Sequence, residues 1–253
     1  MKIAIITGAS SGIGREFVKQ IDATEKLDEI WVIARRAERL DELRCAIKTP
    51  IRCISLDLTD ELSDESISYM LSDMNPDVRI LVNAAGYGKF GCFEDLSLFE
   101  QEGMIRLNIQ ALTKITYRVL PYMNSGAKIY QVASMSGFMP LPYISVYAAT
   151  KSYVVSFSRS LNTELRRRGI SVIAVCPGWT RTEFFDRAVV HDGVIVYYNK
   201  FYTPQQVVSR AIKDMNKGKT VSLCGFSVKM LVLLMKIMPH KFGMYVWCKQ
   251  QKK

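Results

Sequence analysis

Lys2-Ile3-Ala4-Ile5-Ile6-Thr7-Gly8-Ala9-Ser10-Ser11-Gly12-Ile13-Gly14-Arg15 joins a short apolar run to a turn with glycines at 8, 12 and 14. The run is too short for the hydrophobic part of a signal peptide and leads straight into the turn, so it reads as a strand. A helical pattern follows over about 14–22. The three glycines let the chain bend tightly, and with Ser10, Ser11 and Ile13 they bring backbone amides to where a pyrophosphate would meet the positive end of the helix. The spacing is Gly-x-x-x-Gly-x-Gly rather than the commoner Gly-x-Gly-x-x-Gly. Alone, such a turn also fits a plain strand-to-helix corner.

Outward from it, apolar strands are expected at 29–34, 51–56 and 79–82, alternating with helices at 37–47 and from about 60. Apolar strands alternating with helices specify an α/β fold: a doubly wound parallel sheet with helices on both faces, here one domain over 1–253. Ligands of such sheets sit at the carboxyl ends of the strands. The second strand ends in Ala34-Arg35-Arg36, where an NAD site would usually offer an acid to the ribose. Arginines suit a 2′-phosphate, so NADP(H) is favoured over NAD(H), although the pair also fits a solvated loop. The third strand ends at Asp57-Leu58, and Asp57 is placed to accept from an adenine amino group or to start the next helix. The fourth closes with Asn83-Ala84-Ala85-Gly86, whose asparagine suits a local backbone role as well as a cofactor site.

A further strand over 128–133 ends at Ser134, and a long helix is expected over 145–168. Tyr147 and Lys151 lie four residues apart on one face of that helix. A free tyrosine ionises near pH 10 and needs a nearby cation to carry protons at neutral pH. Lys151 is placed to be that cation, and Ser134 to hydrogen-bond the same oxygen, the arrangement that polarises a carbonyl. Taken alone, Tyr-x-x-x-Lys is more often a surface tyrosine beside a solvated lysine.

Composition narrows the classes. With 253 residues and 49% hydrophobic content, the chain can bury a large core. Its cysteines form no Cys-x-x-Cys pair, and its histidines are only His191 and His240, so no metal site and reduced, cytoplasmic thiols are expected. Net charge is +10, but residues 213–253 hold nine lysines and one acid, Asp214, leaving the rest nearly balanced. No nucleic-acid motif accompanies the lysines.

Taken together, Thr7-Gly8-x-x-x-Gly12-x-Gly14, Asp57, Asn83-Ala84-x-Gly86, Asn108, Ser134, Tyr147-x-x-x-Lys151 and Pro177-Gly178-x-x-x-Thr182 resemble the short-chain dehydrogenase/reductase family. The likeness is to its compact subfamily of about 250 residues and runs to about Gly218. The resemblance implies a Rossmann-type sheet and an oxidoreductase acting on an alcohol or carbonyl. It makes Tyr147 the general acid/base, Ser134 the residue that orients the carbonyl oxygen, and Lys151 the ribose ligand that lowers the tyrosine pKa. Asn108, within a helix over about 98–119, would hold a relay water. Pro177, Gly178, Thr180 and Thr182 would border the nicotinamide. It also implies a homodimer or homotetramer through the helices at 98–119 and 145–168, and a substrate lid at about 183–203.

That lid region carries Phe184, Phe185, Tyr197, Tyr198, Phe201 and Tyr202, which points to a large apolar carbonyl or alcohol substrate. Thr203-Pro204-Gln205-Gln206 reads as a capping box that opens a helix, and Arg166-Arg167-Arg168-Gly169 as a helix end. From Phe226 to Pro239 the chain is apolar almost all round, too short to span a bilayer, and followed by a basic end. Such a helix must cover itself against its own protein, another subunit or a membrane surface; packing on the protein is the expectation, with anionic-membrane contact as the lesser alternative. A catalytically silent dinucleotide-binding scaffold remains the competing class.

Overall fold

The computed structural model describes residues 1–188 and 194–253. His191 and part of the expected lid therefore lie outside the described residues. In chain order the elements are β1 Lys2–Thr7, α1 Gly12–Thr24, β2 Glu29–Ala34, α2 Ala37–Arg44, β3 Ile51–Ser55, α3 Glu61–Met74, β4 Asp77–Asn83 and α4 Leu98–Ile105. They continue with α5 Leu112–Val119, β5 Lys128–Val132, α6 Ser145–Leu165, β6 Ser171–Val175, α7 Phe184–Ala188, α8 Pro204–Asn216, β7 Val221–Ser222, α9 Phe226–Ile237 and α10 His240–Gln250. The strands form one parallel sheet in the order β3-β2-β1-β4-β5-β6-β7.

Strand alternation decides which residues feed each face of the sheet. Ala4 and Ile6 join a core with Phe17, Val18 and Ile21 of α1 and Val207, Val208 and Ala211 of α8. Ile3 and Ile5 enter the opposite core with Ile67 and Leu71 of α3, Ile115 and Val119 of α5, and Leu161 and Leu165 of α6. Both faces being covered, the strands read as continuous apolar runs rather than as alternating polar and apolar ones. The chain reverses direction across the sheet between β1 and β4, so a crevice opens where their carboxyl ends part. Thr7 holds that point together, its hydroxyl accepting from the amides of Ala84 and Ala85 at 3.1 Å.

Several expectations needed adjustment. The helix over 98–119 is interrupted by a π-helical segment, Arg106–Ala111, centred near Asn108. The helix expected to reach 47 stops at Arg44, and the one expected to reach 168 tightens into a 3₁₀ turn over Arg166–Arg168. Gly169 then ends it at φ +69°, a conformation that costs glycine least. Both halves of the capping box at Thr203 and Gln206 are present. Three elements were not anticipated: the short helix α7 within the expected lid, the short edge strand β7, and α10, which follows α9 after the Pro239 break.

Asn83 is turned into the sheet rather than toward the crevice. Its amide donates to Thr116 Oγ1 and to Gln131 Oε1, each at 3.0 Å, and Gln131 donates back to Thr116 at 3.0 Å. All three side chains are buried. The triad ties β4, β5 and α5 together directly beneath the crevice, and a buried polar group of this kind is costly to leave unpaired.

Candidate active site

A cleft of about 1140 Å³ lies over the carboxyl ends of the strands. Gly8, Ser10, Ser11, Gly12, Ile13 and Gly14 border it from the first turn, Arg35, Arg36, Asp57 and Leu58 from the ends of β2 and β3, and Ala84 and Gly86 from the end of β4. Ser134, Tyr147, Lys151, Pro177, Gly178, Thr180 and Thr182 complete its floor and far wall. Of the catalytic and cofactor residues singled out by sequence, Asn83 and Asn108 stand behind the lining.

The first turn is built for close approach. Gly8 has φ +66°, and a Cβ there would lie 2.7 Å from the Ala85 nitrogen; a Cβ on Gly14 would run into the Gly8 carbonyl. Ser11 caps α1 without a side-chain hydrogen bond, so the helix offers its first amides toward the cleft. These features fit a dinucleotide diphosphate. Arg35 and Arg36 fit the adenosine end, where Arg36 donates to Ser10 Oγ at 3.2 Å and Arg35 lies 3.5 Å from Asp57. Burial opposes ionisation of Asp57, but hydrogen bonds from Thr59 and the charge of Arg35 outweigh it and hold the carboxyl below its usual range. Asp57 is therefore an acceptor here.

Ser134 lies two residues beyond β5 and caps a 3₁₀ turn, Met135–Phe138, by accepting from the Ser136 amide at 3.2 Å. The Met135 amide donates to the Pro177 carbonyl at 3.0 Å, which locks the serine loop to the Pro177-Gly178 loop. Tyr147 stands opposite, its ring packed against Gly88 and 5.5 Å from the Phe184 ring. Burial pushes the Tyr147 phenol up to about 12, with a hydrogen bond from Ser134 pulling the other way. Lys151 Nζ donates to the Val132 carbonyl at 2.9 Å and sits 5.7 Å from the Tyr147 ring centre. Burial lowers the lysine to about 8. The expected depression of the tyrosine pKa by Lys151 is thus not the dominant balance: the ammonium faces a backbone carbonyl, and loss of water around the phenol prevails.

That shift makes a pH prediction. Between about pH 8 and the ordinary lysine value near 10.4, the unfolded chain keeps a proton at Lys151 that the folded chain has lost, so this group adds stability as pH rises through that window. Tyr147 and buried Cys176, both raised to about 12, act in the opposite direction, the thiol from about pH 9 and the phenol from about pH 10. Comparing urea unfolding of the parent and Lys151→Met from pH 7.5 to 10 isolates the lysine. The parent should gain on the variant by about 2 kcal/mol over that range, and a constant difference would refute the shift.

Asn108 is fully buried, donates to Tyr87 O at 2.9 Å and Thr150 Oγ1 at 3.0 Å, and accepts from Tyr87 N at 3.1 Å. Its side chain is committed to the protein, so a water-holding role for that side chain is not what these bonds display. They brace the loop after β4 against the residue preceding Lys151. The π-helical widening that turns Asn108 inward has no signature in local sequence.

Three groups of residues at the cleft were not named as site residues by the sequence reading. Tyr87, Lys89 and Phe90 follow the Asn83-Ala84-x-Gly86 motif directly, and continuing along that loop would have found them. Glu183 and Arg187 enter from around α7, with Arg187 stacked 3.6 Å from the Tyr87 ring centre. Leu231, Met235, Met238, Val246 and Trp247 come from α9 and α10, which carry no motif. Of the six lid aromatics, Phe184, Phe185 and Tyr197 reach the cleft. Tyr198 meets Phe185 edge-on and Phe201 meets it tilted, and Tyr202 is buried beside Thr180.

A parallel sheet with a Gly-rich first turn, and a serine, tyrosine and lysine gathered beyond it, define an alcohol–carbonyl oxidoreductase of the dinucleotide-binding type. The model of the short chain dehydrogenase family matches residues 2–191, and the chain belongs to that family. An uncharacterized oxidoreductase of Staphylococcus epidermidis is 32% identical over 183 residues, covering 72% of this chain and 79% of that one. A short-chain dehydrogenase from Sphingobium yanoikuyae, solved in complex with NADPH, superposes with a TM-score of 0.80 at 29% identity over 92% of each chain. A family member from Burkholderia phymatum, solved in complex with NAD, has a TM-score of 0.77 at 20% identity over 92% of each chain, a likeness of fold alone.

Proposed function

We propose that the protein interconverts a ketone or aldehyde and the corresponding alcohol on a sizeable apolar substrate, using NADP(H). The observation that carries this reading is the half-buried Tyr147 beside the buried Ser134 and Lys151, at the base of a cleft whose far wall is apolar. When bound, the nicotinamide supplies hydride to the carbonyl carbon or takes it from the alcohol carbon. Tyr147 gives a proton to the carbonyl oxygen during reduction and takes it back during oxidation. The Ser134 hydroxyl donates to that same oxygen and orients it. Lys151 is close enough to stabilise developing phenolate charge and to meet a ribose hydroxyl. Asn108 positions the helix that carries both. Phe90, Phe184, Phe185, Leu231, Met235 and Trp247 surround the remaining space with apolar surface, which favours a bulky hydrocarbon frame over a small polar one. From the expected lid, Phe184, Phe185 and Tyr197 border that space. Purified protein incubated with NADPH and a panel of ketones should consume absorbance with bulky apolar members and not with small polar ones; equal rates would refute the substrate class.

Cofactor preference rests on Arg35 and Arg36. Arg36 forms an ion pair with Glu183 at 2.8 Å, and Arg39 approaches the same carboxylate at 3.9 Å. A 2′-phosphate would engage the guanidinium that Glu183 now holds. These are exposed pairs, worth at most about 1 kcal/mol, so Glu183→Gln should tighten NADPH binding a few-fold and leave NADH unchanged. Arg35→Asp should move preference toward NADH. Titrating each cofactor by fluorescence measures both, and an unaltered NADPH to NADH ratio in the Arg35 variant would reduce the arginines to loop residues.

A homodimer or tetramer through the helices over 98–119 and 145–168 is supported by exposed Leu98, Phe99, Ile105 and Tyr117 on that side of the molecule. Light scattering at micromolar concentration tests it.

A further inference from the structure

We propose that the outward faces of α9 and α10 form a docking surface for an anionic lipid bilayer. α9 carries two apolar stripes. Val228, Val232 and Met235 are buried, and Leu231 and Met235 reach the cleft. On the opposite side Phe226, Met230, Leu233, Leu234 and Ile237 recur at helical spacing and stand in solvent, Phe226 being 78% exposed and Ile237 72%. α10 repeats the division: Gly243 is buried and Trp247 is tied by its indole to the Pro142 carbonyl at 3.0 Å, while Phe242 and Tyr245 are exposed.

Charge selects the occupant. Residues 226–253 contain six lysines and no acid. Lys229 and Lys236 flank the exposed stripe of α9 on one side, and Lys241 and Lys249 are exposed on α10 with Phe242 and Tyr245. Lys236 lies over the Phe138 ring at 5.2 Å and Lys253 over the Tyr143 ring at 5.7 Å; no ion pair joins any of the six to an acid among the described residues. A second copy docking on this face about a two-fold axis would bring lysines against lysines with no carboxylate to answer them. An anionic headgroup layer provides the opposite charge, and its acyl boundary accepts Phe226, Leu233 and Ile237. At 12 and 11 residues the two helices lie in the interface rather than cross it, and no helix among the described residues is long and apolar enough to span a membrane. The cleft is then one helix diameter, about 10 Å, from the lipid. That last consequence, delivery of a lipid-dissolved substrate through the α9–α10 wall, rests on the proposed substrate class, whereas docking does not.

The test is co-sedimentation of the full chain with vesicles of phosphatidylcholine alone or mixed with phosphatidylglycerol. Binding should appear with the anionic mixture, fall about tenfold or more at half-molar salt, and fall similarly in Phe226→Ser/Leu233→Ser/Ile237→Ser and in Lys229→Glu/Lys241→Glu. Thermal unfolding and NADPH titration of these surface variants should match the parent, which separates docking from folding and from the proposed activity. Absence of binding to the anionic vesicles, equal binding to both vesicle types, or binding that survives the triple serine change would overturn the proposal. So would light scattering in which the triple variant changes subunit number, because the face would then join copies of the chain.

Discussion

Tyr147→Phe is expected to cut turnover by about a thousandfold or more while leaving NADPH affinity and melting temperature near the parent values. The phenylalanine ring keeps the contacts that Tyr147 makes with Gly88 and Phe184, so the helix that carries Lys151 stays where it is. What disappears is the proton that the proposed mechanism has Tyr147 pass to the substrate oxygen, and general acid catalysis of this kind contributes on the order of 100- to 10,000-fold. Ser134 retains its bond from the Ser136 amide and its place against Pro177. Steady-state rates with saturating cofactor, alongside fluorescence titration of NADPH, decide the matter. Turnover within tenfold of the parent would remove Tyr147 from the chemistry. A large loss of cofactor affinity would mean that the ring, rather than the hydroxyl, was the functional part.

Ending the chain before Phe226 is expected to destabilise the protein by about 5 kcal/mol or more and to spoil the cleft. Val228 and Val232 are almost wholly buried in the core shared with α1 and α8, and Met235 in the cluster around Phe90 and Ile144. Three such side chains contribute about 1.5–3 kcal/mol each, against a typical total of 5–15 kcal/mol. The deletion also frees the Pro142 carbonyl from Trp247 and the amides of Val196 and Tyr197 from Gln251 Oε1. Thermal unfolding should show a loss of ten degrees or more. Should the truncated chain not fold at all, Trp247→Ala provides the gentler measurement: KM for an apolar ketone should rise several-fold with NADPH binding unchanged. An unaltered melting temperature and KM after truncation would show the tail to be accessory.

The first βα unit was fully legible because each of its signals is local. Strand periodicity, a glycine needed at φ +66° and a helix beginning at once are all contained between Lys2 and Thr24. The same is true of the capping box at Thr203 and of Gly169, where neighbouring residues alone determine the geometry. Asn83 shows where this stops. An asparagine at a strand end can face the ligand or the sheet, and partners 33 and 48 residues away, Thr116 and Gln131, choose the sheet.

The proposed catalytic set lies between these cases. Tyr147 and Lys151 share a helix face by spacing alone, and the order of motifs assigned them a chemistry. Their proton affinities belong to the folded state: burial raises the phenol to about 12 and lowers the amine to about 8, and burial is a property of everything packed around them. Glu183 meets Arg36 only once the chain has crossed the sheet several times.

By itself, then, the sequence determined the parallel α/β framework, the glycine-rich first turn and the choice of a serine, tyrosine and lysine that meet at the cleft, since periodicity, turn chemistry and helical spacing act over a few residues. Only the tertiary structure decided which way Asn83 and Asn108 point, how the reactive groups titrate, and which stripe of α9 is covered. Hydrogen bonding, desolvation and packing depend on neighbours that are distant in the chain, and the apolar tail, alike on nearly every side, holds no local instruction about which side to bury.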